Sequence, residues 1–115
     1  MWEALEREKG VGLAAPQVGV DLKIAVMAVG PRRWVLGNPR ILRHKGPKIA
    51  IPEGCLSLPG VSYLVPRWME IRGAYVDLRG VIRVETFKGL AAQAFQHELD
   101  HLNGVLIDKI GTRMN

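Results

Sequence analysis

Residues 88–104 read KGLAAQAFQHELDHLNG and hold the longest helical pattern in the chain. The pattern predicts a helix from Lys88 to Leu102, closed by Asn103-Gly104, a pair suited to stopping a helix. At about 100° per residue, His97 and His101 share one face, one turn apart. Leu90 and Ala94 fall on the same stripe. The two imidazoles therefore stand at the end of an apolar wall, as in a pocket that takes an apolar side chain.

Working outward, almost everything before this helix reads as strand or turn. Met69–Val76 and Val81–Phe87 have strand-like composition and flank Asp77-Leu78-Arg79-Gly80, which predicts a β-hairpin. Tyr63–Val65 is a short strand before Pro66. Ile49–Pro59 carries Pro52, Gly54 and Pro59 and reads as an irregular extended segment at a sheet edge. His44–Pro47 reads as a turn, with His44 in solvent. Trp34–Leu36 is a strand closed by Asn38-Pro39 and continued by Ile41-Leu42. Leu22–Val29 is an apolar, β-branched strand that stops at Gly30-Pro31, and Met1–Lys9 is the end of a helix broken by Gly10 and Gly12. Val105–Ile110 is an apolar tail. Strands first and one late helix predict an α+β fold: small, mainly antiparallel sheets packed around the C-terminal helix.

The 115 residues, 48% apolar and 23% charged, fit one domain spanning 1–115. No apolar run approaches the roughly 18 residues of a membrane span, and the N-terminus lacks the pattern of a signal or transit peptide. Sixteen Lys and Arg against eleven Asp and Glu give +5. The cations are spread along the chain without a long run, so solubility accounts for them and no specific nucleic acid is expected as a partner. Cys55 is the single cysteine. It excludes an intrachain disulfide and leaves a buried thiol, a nucleophile or a metal ligand.

His97-Glu98-x-x-His101 on a helix is a pattern that binds a divalent cation, with the glutamate placed to act on a water beside it. Two histidines satisfied by hydrogen bonds on a polar helix face would look the same. A catalytic site of this type needs a third protein ligand and an open position. Downstream, Asp108 is the sole carboxylate side chain; upstream, Cys55 in Glu53-Gly54-Cys55-Leu56-Ser57 is the better candidate.

Three motifs thus stand in order: Gly10-Val11-Gly12-Leu13-Ala14-Ala15-Pro16-Gln17, Glu53-Gly54-Cys55-Leu56-Ser57 and Gln96-His97-Glu98-Leu99-Asp100-His101. With them the chain resembles the peptide deformylase family over nearly its whole length, and Asn38-Pro39 and Val65-Pro66-Arg67 agree as well. The resemblance implies metal-dependent hydrolysis of the N-formyl group from N-formyl-methionyl nascent peptides, releasing formate. It implies Cys55, His97 and His101 as ligands of one divalent ion, Fe2+ in the cell, with Zn2+, Ni2+ or Co2+ able to substitute; ligand type alone does not choose among these. Glu98 would act as base and then acid. The Gln17 side-chain amide and the Leu56 backbone N–H would donate to the oxyanion. Gly12 and Gly54 would pair with an extended peptide substrate. Val11, Leu90, Ala94 and the His97 ring would line the methionine pocket. Glu53 and Arg67 would either brace the ligands from behind or form a surface salt bridge.

Set against that family, the chain reads as a shortened member, with most of the N-terminal region and the C-terminal helix missing. Because that helix is the family's ribosome contact, direct ribosome docking is not expected here. Apolar surface near Trp2, Leu5 or Trp34 would be uncovered, giving a monomer of lower stability or a weak dimer. The expected compartment is the cytoplasm, of a bacterium or of a host cell if the protein is virus-encoded. Two other readings remain at this point. One is a different metallohydrolase or small metalloprotease that recruits Asp108 or leaves Cys55 unused. The other is a non-catalytic binding module, against which the presence of both Glu98 and Gln17 argues.

Overall fold

Gly89 decides where the sheet ends and the helix begins. Its φ of 58° lies in the left-handed region, which glycine enters without the Cβ penalty. Its N–H donates to the Met69 carbonyl at 2.9 Å, and its own carbonyl accepts from Gln93 N–H at 3.0 Å. One residue thus closes a strand ladder and opens a helix, with no side-chain cap. A computed structural model describes residues 12–15, 23–55, 58–105 and 110–113 of the chain; for residues 12–15, 55, 58–61 and 113 only the backbone is described.

The described strands are β1 (Gly12–Ala15), β2 (Ile24–Val29), β3 (Arg32–Cys55), β4 (Leu58–Val76), β5 (Ile82–Lys88) and β6 (Thr112–Arg113). They form one antiparallel sheet in the order β1-β2-β3-β4-β5, with β6 on the far part of β4 at Tyr63 and Leu64. The helix α1 (Leu90–Leu102) packs against β1, β2, β4 and β5. It ends as the sequence predicts: Gly104 at φ 74° donates to the His101 carbonyl, and Val105 N–H to that of Asp100 at 2.8 Å. This pair of bonds is the Schellman closure. The expected α+β arrangement is the one observed.

The core lies where α1 covers the sheet. On β2, Ala25 and Met27 are fully buried, and the inner face of β4 and β5 supplies Ile71, Tyr75 and Phe87. Phe87 packs on Phe95 of α1 with ring centroids 4.8 Å apart. Gly73 makes room for that contact: a Cβ there would lie 2.8 Å from Phe95 Cζ and 3.1 Å from Phe87 Cε2. The β4–β5 hairpin turns through Asp77, whose Oδ1 accepts the N–H groups of Arg79 and Val81 at 2.9 and 3.0 Å.

Several local expectations change. Strand β3 runs on through Asn38-Pro39, with a register shift between Gly37 and Arg40 and Asn38 at φ 44°. The short strand expected before Pro66 is part of β4, which continues through that proline to Val76. The His44–Pro47 turn is instead a bulge within β3, at Lys45/Lys48, with Gly46 at φ 75°. The chain kinks there but resumes its ladder, because pairing with β4 continues on both sides. The stretch expected to be irregular lies at a sheet edge as predicted, but from Ile49 to Gly54 it pairs in step with β4, and the register shifts only between Gly54 and Cys55. Pro52 sits on the edge with no described neighbour strand. Trp34 is not uncovered: it is 7% exposed, packs on Phe87 at 5.9 Å and carries the Arg32 guanidinium 4.3 Å above its ring. Trp2 and Leu5 lie outside the described residues. His44 is exposed, as expected.

Candidate active site

The helix α1 presents His97, Glu98 and His101 as a group whose ligand atoms all lie within 4.8 Å of one another. The two imidazole centroids are 4.5 Å apart. A one-turn spacing on a helix produces this directly, and the surrounding hairpin then fixes the His97 ring.

That fixing runs through Glu53 and Arg67. Arg67 grips Glu53 with two bonds, Nε to Oε2 at 2.7 Å and Nη2 to Oε1 at 2.9 Å. Its Nη1 pairs with Asp100 on the helix. Glu53 Oε1 in turn lies 2.8 Å from His97 Nδ1. Arg67 is 3% exposed and Glu53 6%. The sequence left two roles open for this pair, and the surface salt bridge is excluded. Burying such charges is tolerable because nearly every polar position is used in a bidentate, charge-assisted arrangement.

The network also sets protonation. Although burial opposes it, the bonds from Arg67 and His97 lower the Glu53 carboxyl to about 2. Glu53 is therefore ionised and can only accept. His97 Nδ1 thus donates to it, and Nε2 is the ring nitrogen left to face a cation. Burial, then the neighbouring His97, holds His101 below the usual histidine range, in the neutral form a ligand requires.

Glu98 is 2% exposed, and its Oε2 has no hydrogen-bond partner among the described residues. Burial pushes its carboxyl up to about 7, with Glu53 adding to the rise and His97 opposing it. A buried carboxyl poised near neutrality, with one oxygen unpartnered and two histidine donors beside it, can exchange a proton with a reacting group.

Of the other expected site residues, Cys55 is the last residue of β3, two positions beyond Glu53, with its backbone paired to Leu58. The hairpin that supplies the Glu53–Arg67 brace thus also carries the only thiol. Gly54 is exposed next to it. Gly12 begins β1, opposite Met27 of β2. Leu90, 50% exposed, opens the helix, and Ala94 is buried at 3% in the core. Val11, Gln17 and Leu56 lie outside the described residues, as does Asp108.

Sequence reading quoted Gln96 and Asp100 without giving them work. Gln96, 4% exposed, accepts from the Trp68 N–H at 3.0 Å and donates to the Trp68 carbonyl at 2.6 Å and the Ala92 carbonyl at 2.9 Å. It imitates a strand neighbour and pins the histidine-bearing helix to β4. The available signal was a polar residue on an apolar stripe with Ala92 and Leu99, where a buried amide needs partners.

An antiparallel sheet that braces a helix bearing two histidines and a buried carboxyl is a framework on which metal-dependent hydrolysis can run. Comparison with known proteins narrows this class. The family model for polypeptide deformylase matches residues 1–114. The peptide deformylase of Heliobacterium modesticaldum is 40% identical over 111 residues, covering 96% of this chain and 73% of that protein. Peptide deformylase 1 of Bacillus anthracis is 44% identical over 115 residues, covering 98% and 73%. The crystal structure of peptide deformylase from Thermotoga maritima superposes with a TM-score of 0.88 at 43% identity, covering 96% of this chain and 75% of that one. The chain belongs to the polypeptide deformylase family, a metal-dependent family of hydrolases.

Proposed function

We propose that residues 1–115 form one catalytic unit that hydrolyses the N-formyl group of N-formyl-methionyl nascent peptides and releases formate, acting in the cytoplasm. The observation that carries this reading is the buried Glu98 Oε2, without a hydrogen-bond partner among the described residues, beside His101 and a His97 whose Nδ1 is already committed to Glu53. The donor chemistry fits one divalent ion: two imidazoles on one helix face, with Cys55 on the adjoining hairpin as the third ligand. By resemblance the ion is Fe2+, with Zn2+, Ni2+ or Co2+ as substitutes. Such an ion supplies a Lewis acid and lowers the pKa of water toward about 7.

The chain's own residues do the rest. Glu98 Oε2 takes a proton from the attacking water as its oxygen bonds to the formyl carbon. The carbon–nitrogen bond then breaks, and Glu98 returns the proton to the departing amine. Formate and a free methionyl N-terminus leave. A carboxyl near 7 suits both directions of transfer. The Gln17 amide and the Leu56 N–H take the oxyanion role by resemblance. Gly12 and Gly54, on β1 and the exposed end of β3, offer backbone groups to an extended peptide. Val11, Leu90 and Ala94 with the His97 ring form the methionine pocket.

The test is formate release from an N-formyl-methionyl tripeptide by anaerobic, ferrous-loaded protein, beside Glu98→Ala. Turnover by the parent and its loss in a variant that keeps its metal is the expected result. Full metal occupancy without turnover in the parent overturns the assignment.

A further inference from the structure

From Asn38 to Pro52 the chain has no Asp or Glu and four Lys or Arg: Arg40, Arg43, Lys45 and Lys48. All four are exposed on β3, along a side with no described neighbour strand. The ladder adds a fifth, because Arg43 stands directly opposite the exposed Arg72 of β4. Like charges in directly opposed positions destabilise a sheet. Among the described residues, Arg40, Arg43, Lys45 and Arg72 have no carboxylate partner, whereas Arg32, Arg67, Arg83 and Lys88 do. Arg79, on the β4–β5 turn, also lacks a carboxylate partner among the described residues, but it stands apart from this group. Within the group Arg72 donates to Thr86 Oγ1 and Lys45 stands opposite Glu70.

Two grooves meet at this ribbon. One of ≈ 590 Å³ is lined by Arg43, Lys45 and Arg72, with Glu70 its one carboxylate; Glu70 already faces Lys88 at 3.9 Å. The other, of ≈ 540 Å³, is lined by Arg40, Arg43, His44 and Trp68. Between them His44 stacks on Trp68, with centroids 4.1 Å apart and planes 14° from parallel, and Lys48 Nζ stands 4.3 Å from the centre of the Trp68 ring. Trp68 is half-buried beneath these two side chains, and His44 is the exposed ring. Cations along a groove beside an exposed planar ring are the combination that holds single-stranded nucleic acid, phosphates on the charges and a base on the ring.

We propose that the Arg40–Lys48 ribbon with Arg72 binds the phosphate backbone of a single-stranded RNA segment without reading its sequence. The charge complementarity specifies a polyanion. The choice of RNA rests on the function proposed above, since a nascent peptide is still attached to RNA-borne machinery. Neither groove has His97, Glu98 or His101 in its lining, although Leu99 of the same helix borders one of them, so binding and turnover are separate measurements and either can fail alone.

The experiment is fluorescence anisotropy of a labelled 12-nucleotide oligouridylate with the full chain, from low to moderate salt. With five phosphates neutralised, log K falls against log salt with a slope of about −3.5. Arg43→Glu should weaken binding about tenfold or more at low salt, and Arg43→Gln with Lys45→Gln should weaken it without reversing charge. Arg79→Glu, the same charge change on the β4–β5 turn, should leave it within about twofold. Formate release stays at the parental rate in all of them. Absence of binding at low salt overturns the proposal. Equal loss in Arg79→Glu overturns it in favour of diffuse net charge. Binding to anionic phospholipid vesicles but not to the oligonucleotide overturns it in favour of a membrane surface.

Discussion

Glu53 Oε1 lies 2.8 Å from Nδ1 of His97, a residue 44 positions further along the chain, and the same carboxylate is held by two bonds from Arg67. One carboxylate thereby ties the histidine's orientation and tautomer to the β3–β4 hairpin. Removing either partner strands a buried charge. Arg67→Ala should cost about 3–5 kcal/mol of folding stability, read from urea denaturation. Glu53→Gln should lower metal affinity about 10- to 100-fold by loosening the ring, read by competition with a chromophoric chelator.

The same carboxylate shapes the acid limb of stability. Its folded value of about 2 lies below the ordinary 4.5, so its contribution is fully present above 4.5. It is lost as pH falls from there toward 2, because the unfolded chain takes up the proton first. Denaturation midpoints of the parent should therefore drop across that window, and those of Glu53→Gln should drop less.

At the alkaline end the group to watch is Tyr75. Burial, reinforced by the Glu85 carboxylate that accepts its hydroxyl, raises it to about 12 from 10. Here the neutral form is favoured in the folded chain, so this stability holds below pH 10 and declines as pH rises from 10 to 12. Tyr75→Phe should flatten that decline in thermal melts recorded across the same range.

Removal of the metal should abolish formate release. It should also lower the melting temperature, since a ligand at 100 times its Kd stabilises by about 2.7 kcal/mol. Glu98→Gln should behave differently, melting like the parent when loaded while turnover falls about 10²- to 10⁴-fold. A calorimetric scan of both proteins, with and without chelator, separates the two effects.

Gly73 offers a test of packing apart from the chemistry. With Phe95 Cζ 2.8 Å from where a Cβ would stand, Gly73→Ala must displace the aromatic contact that seats the helix on β4 and β5. The expected cost is about 1–3 kcal/mol, seen as a lower urea midpoint with the metal-loaded rate retained where the fold persists.

The amino-acid sequence by itself determined the elements written in local pattern. The helix with His97 and His101 one turn apart, its stop at Asn103-Gly104 and the Asp77–Gly80 hairpin follow from periodicity and turn chemistry acting over a few residues. Tertiary structure decided what depends on register between distant segments. Pairing with β4 carries β3 straight through the bulge at Gly46, where residue types alone signal a turn. Arg67 becomes a buried brace only because β4 brings it between Glu53 and Asp100. Trp34 is covered because Phe87 and Arg32 close over it. Arg72 joins Arg40, Arg43, Lys45 and Lys48, already close together in the chain, only because the ladder sets it against Arg43. Local sequence fixes a residue's conformational preference, whereas its neighbours across a sheet are chosen by the collective burial of many side chains.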